Sequence, residues 1–223
     1  MIDFSTFDWG TANDWYKETI IREFSTQNIY CRFFDVEEND IVVDFGSSNG
    51  PFPFSIKEKN PKHVYCFEPS QEEIISLKNN LNGLNHTLIP KGISDIDGFD
   101  EFEVYGLVNH IEKVESISFK TFIKNYEIKN IDFLKTDCEG GEYHIFNREN
   151  IWWIKNNTKK IVGEWHLETP KQKEQFREFR DIYLKLFQNY EIYSVDGVNI
   201  KWDLWNEHFI EYYKQVIIYI DNR

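Results

Sequence analysis

Ile41-Val42-Val43-Asp44-Phe45-Gly46-Ser47-Ser48-Asn49-Gly50 is the stretch whose reading decides the fold. Three β-branched residues form a short apolar run of the kind found in a strand buried on both faces. Asp44 closes the run, and Gly46 and Gly50 bracket a tight loop. Pro51 suits a first helical position, where its missing N–H costs nothing, and Pro53 still falls within the first turn. A strand, a glycine turn and a helix N-terminus together make a nucleotide-type site. Gly46 lets a ligand approach the backbone, and the helix end offers unpaired N–H groups.

Outward from this stretch strands alternate with helices, with no internal repeat. His63-Val64-Tyr65-Cys66-Phe67 reads as a second strand ending at Glu68-Pro69. Ser70 then caps a helix with Glu73 three residues on, a capping box. Thr87-Leu88-Ile89 reads as a third strand, followed by the turn-rich Lys91-Gly92-Ile93-Ser94-Asp95. From Gly98 to Phe122, alternation at Phe102, Val104, Ile117 and Phe119 predicts a hairpin-like excursion. Ile131 to Lys135 is a fourth strand ending at Asp137-Cys138-Glu139-Gly140-Gly141-Glu142, and Lys160 to Glu164 a fifth, running into Trp165-His166. A long helix is expected from about Lys171 to Gln188. Glu191 to Ser194 and Gln215 to Ile220 return to strand chemistry. This order predicts an α/β, Rossmann-like doubly wound, mostly parallel sheet with an antiparallel edge. Residues 40–223 form the main domain. Residues 1–39, with Phe4, Phe7, Trp9, Trp15 and Tyr16 and a helix from Asp14 to Phe24, read as an appendage or a lid. Trp152-Trp153 reads as packing under the sheet rather than a sugar platform.

Of the 223 residues, 41% are hydrophobic and 17% aromatic, enough for a sizeable core. The net charge of -13 argues against nucleic acid or an anionic membrane as main partner, since both reward clustered Lys and Arg. Cys31, Cys66 and Cys138 are far apart, odd in number and outside any CxxC pair, which suggests reduced thiols and no structural zinc. With no basic start followed by an apolar run, and no membrane-length apolar stretch, a cytoplasmic location is expected.

In doubly wound sheets ligands bind beyond the carboxyl ends of the strands, so Asp44, Glu68, Asp137 and Glu164 should share one rim. Glu68 lies about 20 residues past the glycine loop, where an acid can take both ribose hydroxyls of a cofactor. A carboxylate at Asp44 would repel a pyrophosphate but suits a cationic ligand. The loop also lacks GxGxxG spacing. S-adenosyl-L-methionine, with a sulfonium, an amino group and a ribose but no phosphate, is favoured over NAD.

Asp44-x-Gly46-x-x-x-Gly50 with Glu68-Pro69 resembles the class I S-adenosylmethionine-dependent methyltransferases. Ile131-Asp132-Phe133-Leu134-Lys135-Thr136-Asp137-Cys138-Glu139-Gly140-Gly141-Glu142 resembles the signature of the FkbM-type family within them. Glu164-Trp165-His166 is similar to that family's Glu-x-His at the fifth strand. The likeness runs from about Asp40 to His166; Ser47 departs from it, standing where alanine is common. It implies a seven-stranded sheet and methyl transfer to a hydroxyl, often on a saccharide or another small hydroxylated metabolite. Carried over, Asp44 and Gly46 line the methionine part of the cofactor, Ser47 and Gly50 belong to the same cofactor-binding loop, and Asn49 helps hold the cofactor's carboxylate. Glu68 takes the ribose with Ser70 close by, Ser94 and Asp95 edge the adenine, and Asp137 faces the amino group or the reacting centre.

A hydroxyl acceptor must lose a proton, so a base is needed within hydrogen-bond reach. His166, Glu139 and Glu164 are the candidates, with His166 favoured by its ordinary pKa. Asp137, Glu139, Glu164 and His166 would also make an oxygen-rich divalent-metal site, which the resemblance does not require and which is the less favoured reading. Two other functions share the fold: an NAD-dependent oxidoreductase, and an idle module that binds cofactor or partner without turnover. Acceptor choice is expected to sit in the N-terminal aromatics, the excursion from Tyr105 to Ser118, and the segment from Asn199 to Phe209. Monomer and homodimer both remain open.

Overall fold

The computed structural model describes residues 2–104 and 110–223. In chain order the helices are α1 (Asp14–Ile21), α2 (Pro51–Ser55), α3 (Gln71–Asn80), α4 (Phe119–Asn125), α5 (Glu142–Ile145), α6 (Ile151–Asn157), α7 (Pro170–Glu178) and α8 (Glu207–Tyr212). The strands are β1 (Ile41–Phe45), β2 (His63–Phe67), β3 (His86–Ile89), β4 (Gly92–Ile93), β5 (Gly98–Val104), β6 (His110–Ile117), β7 (Ile131–Thr136), β8 (Thr158–His166), β9 (Asn189–Tyr193) and β10 (Gln215–Asp221). Seven of them form one sheet in the order β3-β2-β1-β7-β8-β10-β9. The first five are parallel, and the expected antiparallel strand is β10, set between β8 and β9. The order runs outward from β1 to β3 and then restarts on the other side with β7. The crevice between β1 and β7 is therefore the switch point, where such sheets bind ligands.

Period-two alternation sends neighbouring residues of each strand to opposite faces. Val42, Cys66 and Phe133 join one core with Phe52 of α2, Leu77 of α3 and the N-terminal residues Phe4, Phe7, Phe24 and Tyr30. Val43, Phe45, Phe67 and Leu134 join the other with Phe122 of α4, Ile154 of α6 and Phe176 of α7. Each such fully buried aliphatic or aromatic side chain contributes roughly 1.5–3 kcal/mol. The N-terminal segment thus supplies part of the core, rather than an edge cover alone.

The excursion is a hairpin of β5 and β6, joined by β4 into a second, three-stranded sheet. Positions 105–109 of the expected acceptor segment lie outside the described residues. The expected helix at 171–188 is a helical run in three parts: α7, a π-helical stretch Phe179–Tyr183 and a 3-10 turn Leu184–Leu186. Trp153 packs edge-on to Phe119 with ring centroids 5.5 Å apart, while Trp152 is 60% exposed, so only one of the pair packs inward. At the amino ends of the strands the buried Lys160 ammonium meets Asp40 at 2.8 Å and the Asp35 carbonyl at 2.9 Å, away from the ligand rim.

Candidate active site

Asp44 on β1 stands in register with Lys135 on β7 across the switch point. Parallel partners point to the same face, so their side chains meet: Nζ lies 3.0 Å from Oδ1, with 4% and 0% of the two side chains exposed. Nζ also donates to the Gly46 carbonyl at 2.6 Å and sits 5.3 Å from the centre of the Tyr30 ring. Burial alone would lower the Lys135 pKa, but the Asp44 and Asp137 carboxylates hold it above the usual lysine range. Lys135 is the one side chain within ion-pair distance of the Asp44 carboxylate among the described residues. A buried carboxylate left short of donors suits a ligand that brings ammonium or sulfonium charge.

Gly46 has φ +77, and a Cβ there would collide with the Asp137 carbonyl, so the loop after β1 and the loop after β7 press together only because this residue is glycine. Asp137 N–H completes the junction by donating to the Phe45 carbonyl at 3.0 Å. α2 is only five residues long and carries two prolines, so its terminus offers fewer N–H groups and a smaller dipole than the sequence suggests.

Glu68 accepts from Ser48 N–H and Ser70 N–H, each at 2.8 Å, one on each oxygen. An ionised carboxylate has about four acceptor sites, so two remain for a diol. Burial pushes its pKa up to about 7 despite those two donors. The capping box is half formed. Ser70 Oγ accepts from Glu73 N–H at 3.4 Å, but Glu68 occupies the Ser70 N–H and Glu73 turns instead to Ser48 Oγ at 3.3 Å. Ser47 is buried and donates to the Asp44 carbonyl at 3.2 Å. Gly50 caps α2 at φ 94. Asn49 is buried beneath the N-terminal segment, with its Nδ2 3.4 Å from the Trp9 carbonyl and its Oδ1 3.4 Å from the Tyr16 hydroxyl.

The second group gathers where β7 and β8 end. His166 Nε2 is 3.1 Å from Glu139 and 3.6 Å from Glu164, and its Nδ1 is 3.1 Å from Glu142. Burial would lower the His166 pKa, but the carboxylates of Glu142, Glu139 and Glu164 together hold it well above the ordinary histidine value. Glu139 has half its side chain open to the rim, yet desolvation, reinforced by Asp137 and Glu142 against the pull of His166, pushes it up to about 7. Desolvation and Asp137 raise Glu164 well above the carboxylate range. Tyr30 donates to Asp137 Oδ2 at 2.8 Å, tying the N-terminal segment to the rim. Ligand atoms of Asp137, Glu139 and His166 lie within 4.8 Å of one another, close enough for a divalent cation. Ion pairing brings Glu139 and His166 together, and the Tyr30 hydroxyl holds Asp137 beside them.

Ser94 and Asp95 find other partners. Ser94 donates to the Asp100 carboxylate, and Asp95 holds His144 at 2.7 Å and Asn147 at 3.1 Å. Sequence reasoning missed Tyr30, which carries no periodic signal, and Glu23, which burial and then Asp137 push up to about 7. It quoted Glu142 within a motif without seeing its partners.

The methyltransferase FkbM domain matches residues 35–192 of the chain. No curated protein matches it. Among solved structures, a protein described as a methyltransferase from Streptococcus mutans in complex with SAH is similar at 14% identity, covering 83% of this chain and 90% of that chain, with a TM-score of 0.49. Aeropyrum pernix fibrillarin with natively bound S-adenosyl-L-methionine is similar at 11% identity, covering 88% and 72%, with a TM-score of 0.49. A Klebsiella pneumoniae protein described as an O-methyltransferase is similar at 9% identity, covering 98% and 84%, with a TM-score of 0.47. With a family match spanning most of its length and the motif residues meeting at one switch point, this chain belongs to the FkbM methyltransferase domain family.

Proposed function

We propose that the protein is an S-adenosyl-L-methionine-dependent O-methyltransferase acting on a hydroxyl of a saccharide or other small hydroxylated metabolite. The residues fit the cofactor. Asp44 has a single ion-pair partner among the described residues, Lys135, and Glu68 keeps acceptor capacity for a ribose. Asp44, Gly46, Ser47, Asn49 and Gly50 would hold the methionine part and Glu68 with Ser70 the ribose. Ser94 and Asp95 would stand toward the adenine. When bound, the cofactor supplies an electrophilic methyl group on a positively charged sulfur.

The observation that carries the O-methyl reading is the Glu139–His166 contact of 3.1 Å at the rim. The carboxylates hold a proton on His166 at rest, so Glu139, half exposed and poised near 7, receives the hydroxyl proton while the imidazolium steadies it. Asp137, fixed by Tyr30, orients the reacting groups, and Glu164 shares the charge on Nε2. The N-terminal segment covers this side of the site, since Trp9 and Tyr16 touch the loop after β1 and Tyr30 touches Asp137. A second reading, transfer to an amine, is favoured by the crowd of carboxylates at Glu23, Asp137 and Glu164, which would draw an ammonium group.

The test is formation of S-adenosylhomocysteine from S-adenosylmethionine with a panel of methyl glycosides beside their amino-sugar counterparts. Turnover with a glycoside is expected, with Glu139→Gln and His166→Ala each lowering kcat about 100-fold, the scale of general-base loss. Turnover confined to the amino sugars would establish the second reading. No turnover with either set would favour an idle binding module.

A further inference from the structure

We infer that Glu142 is the positioning residue of the site: its buried carboxylate fixes the His166 ring so that Nε2 faces Glu139, and fixes the Glu139–Gly140 turn in the same grip. The inference rests on the reading of Glu139 and His166 as the proton-handling pair. Glu142 is the first residue of α5 and is fully buried, so an unpartnered carboxylate there would be costly. All of its polar contacts run to catalytic segments. Oε1 accepts from the His166 backbone N–H at 2.7 Å and lies 3.1 Å from His166 Nδ1. Oε2 accepts from Gly140 N–H at 2.9 Å and has Cys138 Sγ at 3.9 Å.

One carboxylate therefore clamps the end of β8 to the loop after β7. That loop is strained: Glu139 has φ 54 and Gly140 φ 106, and a non-glycine residue at positive φ persists only where its surroundings hold it. A second brace acts from below, where the Tyr143 hydroxyl donates to the His166 carbonyl at 2.6 Å. With Nδ1 donating to Glu142, the ring has one remaining nitrogen, and it points at Glu139 and Glu164. A carboxylate that fixes the far nitrogen of a working imidazole sets the orientation of the ring. Losing such a partner typically reduces function 10- to 100-fold where the imidazole ligates a metal, and the same orienting logic applies here.

Two readouts test this in the full-length protein. The first is nitrogen-15 NMR of the imidazoles in the wild type. A His166 Nδ1–H proton protected from solvent exchange is expected, and its disappearance in Glu142→Gln; a wild-type ring without a protected Nδ1–H overturns the inference. The second is the kinetic split with S-adenosylmethionine and the active methyl glycoside. Glu142→Gln should lower kcat about 10- to 100-fold with KM for the cofactor changed less than twofold. In a His166→Ala background it should cost less than it does in the wild type, because part of its effect acts through that ring and part through the Gly140 N–H. Full additivity of the two losses, or an unchanged kcat, overturns the positioning role while leaving the proton-handling pair intact. An unchanged kcat in His166→Ala alone would instead remove the pair, and this inference with it.

Discussion

Lys135→Met is expected to lower the unfolding free energy by about 3–5 kcal/mol, the usual cost of removing one partner of a buried ion pair. Asp44 has no exposed surface and pairs with Lys135, so without the ammonium it would hold an uncompensated charge or take up a proton. The Gly46 carbonyl would lose its 2.6 Å donor as well, loosening the loop that must keep its shape against Asp137. Urea unfolding followed by tryptophan fluorescence measures the change. Asp44→Asn combined with Lys135→Met should recover most of the stability, since removing both charges removes the burial penalty. A loss under about 1 kcal/mol in the single variant would mean that the pair is solvated and is not the organising contact of the crevice.

Glu68→Gln should change stability in opposite directions at two pH values while weakening cofactor binding at the higher one, where the wild-type group is ionised. Burial raises the folded pKa of Glu68 to about 7, above its ordinary value. A carboxyl raised in this way contributes stability that is fully present below its unfolded pKa and lost as pH rises through about 7. At pH 8 the ionised group costs about 3 kcal/mol, to order of magnitude. Glutamine removes that cost but can accept only one of the Ser48 and Ser70 N–H bonds well, a loss of about 1–2 kcal/mol. The variant should thus be more stable than wild type at pH 8 and less stable at pH 5 in parallel urea titrations. Its affinity for S-adenosylhomocysteine at pH 8 should fall about 100-fold, because the ribose hydroxyls lose a charged acceptor. Equal stability differences at both pH values would place Glu68 in solvent and undo the assignment.

Much of this site was legible because strand ends are where a doubly wound sheet does its chemistry. Asp44, Glu68, Asp137 and Glu164 each end an apolar run, and topology alone brings such residues to one rim. Lys135 could be read as an ion-pair partner because it lies one step inside a strand end. Side-chain competition was not legible. The Ser70–Glu73 spacing signals a reciprocal cap, but Glu68 is nearer to the Ser70 N–H and displaces Glu73. Histidine's ordinary pKa singles out His166 as a base, but the carboxylates of Glu142, Glu139 and Glu164 that raise it come from segments no local pattern brings together. Tyr30 and Glu23 reach the rim from an N-terminal segment whose path no local pattern encodes.

S-adenosyl-L-methionine is proposed to bind at the β1–β7 crevice, where Asp44 and Lys135 meet. Calorimetric titration of the wild-type protein with S-adenosylhomocysteine, beside NAD, tests it most directly. Saturable binding of S-adenosylhomocysteine in the micromolar range with no heat from NAD is the predicted result. Saturable binding of NAD with none of S-adenosylhomocysteine would contradict it.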